Sequence, residues 1–237
     1  MKIPKIIHQI YDCPSSVPDT LYQVSDSWRK EHPTWKYCLW DHEAIQKFLS
    51  DNCSKFIPIY KSFPYNKQRW ELLRYLILYH IGGLYVDMDY ECLQPMDSLL
   101  KARLCCLGLE PAEHAKRFGK QRLIGNAMLA AVPRHPFFER IIEKISHPAN
   151  NRQQTGTWLI SQTTGIEMLN NQYEEYKPKK SITLLPADLI TPLSAREISL
   201  FLLGRETSEM EDKVENAFAI HYFLGQWRLG TNILHET

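Results

Sequence analysis

The stretch that most constrains this chain is Glu71 to Asp89, which reads ELLRYLILYHIGGLYVDMD. It divides into an apolar helix, a Gly-Gly stop and a short strand that ends in two carboxylates. From Leu72 to Tyr79 every residue except Arg74 is apolar or aromatic. Such continuity suits a buried helix better than a surface one. Gly82-Gly83 ends it, because glycine takes the left-handed backbone of a helix C-terminus without steric cost. Leu84 to Tyr90 then alternates with period two. Leu84, Val86 and Met88 point one way, and Tyr85, Asp87 and Asp89 the other.

Two carboxylates one strand step apart repel each other and resist desolvation. A bound divalent cation removes that penalty, and oxygen ligands suit Mg²⁺ or Mn²⁺. An isolated D-x-D usually does no more than end a strand in water. Here Glu71 and Arg74 add context. They are three residues apart on the helix and share a face, inside a run that should be buried. Buried charges need partners: the two either pair with each other to hold the helix or serve a site at its end.

At 237 residues the chain is read as one domain, 1–237, with a substantial core. A formal net charge of +1 gives no case for a nucleic-acid partner. Cys13, Cys38, Cys53, Cys92, Cys105 and Cys106 show neither C-x-x-C nor a metal spacing, and read as reduced thiols. No signal peptide and no apolar run of about 18 residues is visible. The expected location is the cytoplasm.

Along the chain, Ile3–Tyr11 reads as a strand, Thr20–His32 as a helix ended by Pro33, Trp35–Trp40 as a strand and 42–49 as a helix. This alternation predicts a mainly parallel α/β sheet. Asn52–Pro64 reads as a connection, and the main helix starts near Tyr65. Further strands are expected at Arg103–Leu109, Gly125–Val132, Ser181–Ile190 and Ala217–Leu224, and a helix at Pro136–Ile145. The basic segment Glu110–Arg122 reads as a solvated loop, with a mobile loop near a diphosphate as the alternative. His8, in an apolar strand, is read first as a hydrogen-bonded core residue. Trp28, Trp35 and Trp40 are read as core.

The combination Glu71, Arg74, Tyr75, Gly82, Gly83, Asp87 and Asp89 resembles glycosyltransferase family 32, and more distantly the catalytic domain of large glucosylating bacterial toxins. Other points of likeness are the opening phrase ending at Tyr11, the run from Pro33 through Trp40 to Asp41, Asn126 before Pro133, and His221 followed by Trp227. The resemblance implies a GT-A type fold, Rossmann-like and single-domain. It implies a Mn²⁺- or Mg²⁺-dependent transferase acting on a nucleoside-diphosphate sugar (UDP- or GDP-linked) and a glycan or lipid-linked glycan hydroxyl, with retention, in surface polysaccharide biosynthesis. The cytoplasmic setting leaves room for peripheral association at the inner face of the membrane.

Carried over to this chain, the resemblance implies a catalytic set of Asp87, Asp89, Arg74 and Glu71. Asp89 and His221, supported by Asp87, hold the metal. His8, Gln9, Ile10 and Tyr11 at the end of strand one, with Glu71, Arg74, Asp87, Met88, Asn126 and Trp227, form the donor site. Thr164 and Gly165 lie on the acceptor side. The chain departs from the family's pattern at Tyr11 for Trp, Trp70-Glu71 for Ser-Asp, Gln226 for Ser, and Ile166 for Pro. Two other readings are kept: a sugar-nucleotide-binding module without turnover, and a D-x-D phosphatase. The latter lacks the later pair of acids it needs.

Overall fold

The computed structural model describes residues 2–13, 17–147 and 157–224. Its centre is a six-stranded sheet in the order β2-β1-β3-β6-β5-β7. The strands are β1 (Ile6–Ile10), β2 (Lys36–Trp40), β3 (Gly83–Val86), β5 (Cys105–Leu109), β6 (Ile124–Ala131) and β7 (Ile182–Leu185). β1 runs parallel to β2 and β3, and β5 parallel to β7. β6 is antiparallel to both of its neighbours. The sheet is therefore parallel but for one strand, as the alternation predicts. A separate antiparallel ribbon pairs β4 (Tyr90–Cys92) with β8 (Ala219–His221).

One face of the sheet carries α2 (His42–Asn52), α4 (Asn66–His80), α7 (Pro136–Ser146) and α9 (Ile166–Glu175), which close over a core containing Leu72, Leu76, Phe137 and Leu169. The other face carries α1 (Asp19–Glu31), whose Trp28 is fully buried beside Ile7, Leu84 and Tyr90. α4 is buried nearly all round, from Glu71 to Leu78 without a break. The Gly-Gly stop works through space as well as backbone: φ is +71° at Gly82 and +106° at Gly83. A Cβ at Gly82 would stand 2.6 Å from Pro133, and one at Gly83 2.6 Å from the Ile6 carbonyl. Helix and sheet meet too closely for any larger residue.

Several expected elements differ. β3 ends at Val86, not Tyr90: one more ladder bond follows, from Asp87 N–H to the Ala127 carbonyl (2.9 Å), and the chain then turns through Met88 and Asp89, with Tyr90 N–H bonded to the Asp87 carbonyl (3.2 Å). The connection after Asn52 holds α3 (Ile57–Ser62). The basic segment holds α6 (Ala112–Arg117), with its exposed charges paired as Arg117–Glu113 (2.5 Å). β7 stops before Pro186 and lies at the sheet edge, where a following proline costs no ladder bond; α10 (Ala187–Ile190) follows. No helix among the described residues is long and apolar enough to cross a membrane.

His8 is the core histidine anticipated, with no exposed surface. The Trp40 indole N–H donates to its Nδ1 (3.1 Å), so Nε2 carries the proton and donates to the Gly82 carbonyl (2.8 Å). Both nitrogens are engaged and the ring has no exposed surface. Burial, only partly opposed by the Gly82 bond, pushes its pKa down from 6.5 to about 4. The unfolded chain takes a proton that the folded one refuses, so the stabilisation is complete above pH 6.5 and erodes as pH falls towards 4. We expect urea unfolding to lose about 1.4 kcal/mol per pH unit from this ring across that window. His8→Gln should flatten the slope by that amount, while His32, His80 and His135 titrate in both proteins; equal slopes would refute the assignment.

Candidate active site

The site forms where α4, the turn after β3 and the β4–β8 ribbon converge. On α4, residues 67, 71 and 74 share one face by helical spacing. Arg74 is 5% exposed. Its Nη1 donates to the Asn126 carbonyl and lies 3.2 Å from Asp87 Oδ1, and its guanidinium stands 4.6 Å from the centre of the Tyr85 ring. The Tyr85 hydroxyl donates to the same carboxylate oxygen (2.6 Å). Asp87 is thus clamped by a buried cation and a phenol. Gln9 Nε2 holds its carbonyl (3.2 Å), while the Tyr37 hydroxyl holds Gln9 Oε1 (2.7 Å).

Glu71, 1% exposed, accepts from the Thr164 hydroxyl at Oε2 (2.5 Å) and from the Asn126 amide at Oε1 (3.1 Å). Burial raises its proton affinity, against the opposing charges of Lys67 and Arg74.

Asp89 lies two residues beyond Asp87, past the turn. The Leu224 N–H donates to its Oδ2 (2.9 Å), and His221 Nε2 lies 3.2 Å from Oδ1. The ribbon register sets Tyr90 opposite His221, and their rings stack at 4.4 Å, 7° from parallel. Despite burial, the His221 charge holds Asp89 below its usual range, and Asp89 raises the imidazole in return.

Ligand atoms of Asp87, Asp89 and His221 lie within 4.8 Å of one another. The set of two carboxylates and an imidazole suits a hard divalent ion. The His221 Nδ1 is buried without a partner among the described residues. The ring's polar contact is made at Nε2, aimed at the carboxylates. These three residues fit a divalent metal.

Residues 18–104 match the family described as the glycosyltransferase sugar-binding region containing a DXD motif, and the two aspartates of the cluster are that motif. Over those residues the chain is similar to this glycosyltransferase family. Inositol phosphoceramide mannosyltransferase 1 of Schizosaccharomyces pombe is 35% identical over 192 residues, 78% of this chain and 56% of the relative. Mannosyl phosphorylinositol ceramide synthase CSH1 of Saccharomyces cerevisiae is 32% identical over 180 residues, 74% of this chain and 43% of the relative. The chain spans about half the length of these curated relatives. The solved PaToxG glycosyltransferase superposes with a TM-score of 0.54 at 15% identity, over 92% of this chain and 85% of that one, which shows the fold. That fold is the GT-A arrangement expected.

The structure brings Asp87, Asp89, Arg74, Glu71, Asn126 and His221 together. Other expected residues stand differently. Gln9 is fully buried and positions the Asp87 backbone. Ile10 and Met88 are buried at 9% and 6%, while Tyr11 is half-buried at the end of β1. Thr164 and Gly165 are buried and serve Glu71: the threonine hydroxyl bonds it, and a Cβ at Gly165 would come within 3.2 Å of it. Their burial follows from α4 needing a partner for its buried acid. Trp70 is half-buried and packs against the core. Trp227 lies outside the described residues. Sequence reasoning missed Lys67, whose charge acts on Glu71, Asp87 and Asp89. Its spacing to Glu71 and Arg74 was the available signal.

Two outcomes are expected. Thr164→Val should cost about 1–3 kcal/mol in urea unfolding, because it strands a buried carboxylate oxygen. Millimolar Mn²⁺ should raise the Tm of the wild-type protein and leave Asp89→Asn and His221→Ala unmoved; an equal rise in all three would place the ion elsewhere.

Proposed function

We propose that the protein is a metal-dependent mannosyltransferase that moves a hexose from a UDP- or GDP-sugar to a hydroxyl of a phosphoinositol-bearing lipid. The observation that carries this is the Asp87–Asp89–His221 cluster, built on the motif of a sugar-transferase family and flanked by buried positive charge. The relatives' names supply the mannose and the lipid class. They favour a lipid headgroup over the surface polysaccharide read from sequence, and so an active site working at a membrane surface.

Asp89 and His221 would hold the metal, with Asp87 completing the set. A divalent ion there would neutralise charge gathering on the departing diphosphate. The chain's own residues do the rest. Arg74, fixed by Asp87 and the Asn126 carbonyl, and Lys67, two turns earlier, set positive charge beside that group. Tyr85 and Gln9 keep the Asp87 turn in place, so little reorganisation is needed as charge develops. The anomeric C–O bond to the diphosphate breaks and a new one forms to the acceptor oxygen. The acceptor proton leaves with the diphosphate, and the configuration is retained. No side chain of this chain is assigned as a nucleophile.

The test is a screen of GDP-mannose and UDP-hexoses with a phosphoinositol ceramide acceptor and Mn²⁺ or Mg²⁺, following nucleoside-diphosphate release and the mass of the lipid product. Transfer from one donor, abolished by chelation and reduced about 100-fold or more in Asp89→Ala, is the expected result. Tight donor binding with neither transfer nor hydrolysis would instead establish a binding module. Absence of both binding and release would sink the transferase reading.

A further inference from the structure

A carboxylate with little exposed surface that the family motif does not include lies behind the His221 side of this site, linked to it through His114 and Phe223. Glu110 follows β5, with its N–H bonded to the Leu123 carbonyl (2.8 Å) and its side chain 9% exposed. His114 in α6 lies one turn on, with Nδ1 2.8 Å from Glu110 Oε2. On the other edge of that ring the Ala195 N–H reaches Nε2 (3.0 Å). A backbone N–H only donates, so Nε2 accepts and Nδ1 carries the proton that Glu110 receives. One carboxylate oxygen is thereby anchored by a neutral imidazole of fixed tautomer.

The other oxygen, Oε1, is turned to Gly125. A Cβ at that position would stand 2.2 Å from Oε1 and 3.1 Å from the carboxyl carbon. Residue 125 must therefore lack a side chain for the carboxylate to stay where it is. Gly125 directly precedes Asn126, whose carbonyl takes Arg74 and whose amide takes Glu71. On its other side the His114 ring meets Phe223 edge-on at 5.0 Å, and Phe223 lies 4.0 Å from the His221 ring. Burial first, and then the Glu110 charge, hold the Tyr90 phenol well above its ordinary range; Tyr90 is the ring stacked on His221.

The other carboxylates here are already committed. Both oxygens of Glu71 are bonded within the protein, and Asp87 and Asp89 belong to the metal cluster. No hydrogen bond to Glu110 Oε1 is present among the described residues. A carboxylate fixed at one oxygen, with the other unbonded beside Gly125 and next in sequence to Asn126, can accept from a hydroxyl.

We propose that Glu110 is a specificity-determining residue whose Oε1 accepts a hydrogen bond from one hydroxyl of a substrate hexose. His114 and Gly125 act as its positioning residues. This rests on the transferase reading above, and the shared chemistry is a sugar hydroxyl, of the donor or of the acceptor.

The test compares wild type, Glu110→Gln, Gly125→Ala and the double variant, using the active donor and its single-deoxy analogues. Glu110→Gln keeps size and the bond to His114, so the Tm and its rise with Mn²⁺ should be unchanged. Its kcat/KM should fall about 10- to 100-fold, the scale of one hydrogen bond to a charged group. That loss should vanish for the one deoxy sugar that lacks the hydroxyl. Gly125→Ala, by displacing the carboxylate, should reproduce the loss and add nothing to it in the double variant. Slower donor hydrolysis without acceptor and weaker calorimetric binding of the nucleotide sugar, but not of the nucleoside diphosphate, place the hydroxyl on the donor. A raised acceptor KM alone places it on the acceptor. Wild-type kinetics in Glu110→Gln, or one uniform loss across all analogues, overturns the proposal while the transferase reading stands. A wild-type protein that neither binds nor turns over any nucleotide sugar overturns both.

Discussion

A guanidinium placed inside a hydrophobic helix has to be paired, and the arrangement around Arg74 follows from that requirement. Removing one partner from a buried ion pair typically costs 3–5 kcal/mol. Arg74 meets it with three elements at once: the Asp87 carboxylate after β3, the Asn126 carbonyl in β6 and the Tyr85 ring in β3. The first aspartate of the motif is therefore also a structural counter-ion. The stacking of α4 on the sheet and the position of the motif are one constraint.

Glu71 extends the same logic. Its carboxylate is satisfied by Thr164, at the end of α8 (Thr157–Thr163), and by Asn126. An acid that invites a sugar-gripping role thus spends its oxygens tying helix, loop and strand together. The face of α4 that looks catalytic in sequence is partly the frame of the site. The Asp87–Asp89–His221 cluster and the flanking cations carry the proposed chemistry. Asp89 and His221 are held in turn by the β4–β8 ribbon, whose register and ring stacking fix where the imidazole stands.

Much of this was legible because periodicity reports burial directly. The continuous apolar run gave α4, the Gly-Gly pair its end, and β-branched strands the parallel sheet. Errors came where local pattern and tertiary bonding disagree. Leu84–Tyr90 alternates as a strand should, yet after Asp87 the chain turns, with Tyr90 N–H bonded to the Asp87 carbonyl. Glu110–Arg122 looks like solvated charge, but α6 buries His114 within it to hold Glu110. Thr164 and Gly165 look like a polar loop facing a ligand. A buried acid on another element draws them inward, which no local pattern can show.

By itself the sequence determined the main helices and strands, a mainly parallel sheet, the family likeness and the D-x-D motif, since these depend on spacing within a few residues or on one contiguous match. Only the tertiary structure decided which carboxylates are occupied and which are open. Asp89 and Leu224 are joined across 135 residues, and Glu71 and Thr164 across 93. The protonation pattern of His114 is set by a backbone N–H 81 residues away. Hydrogen-bond satisfaction is a property of the closed core, where each buried donor must find an acceptor among whatever the fold brings near.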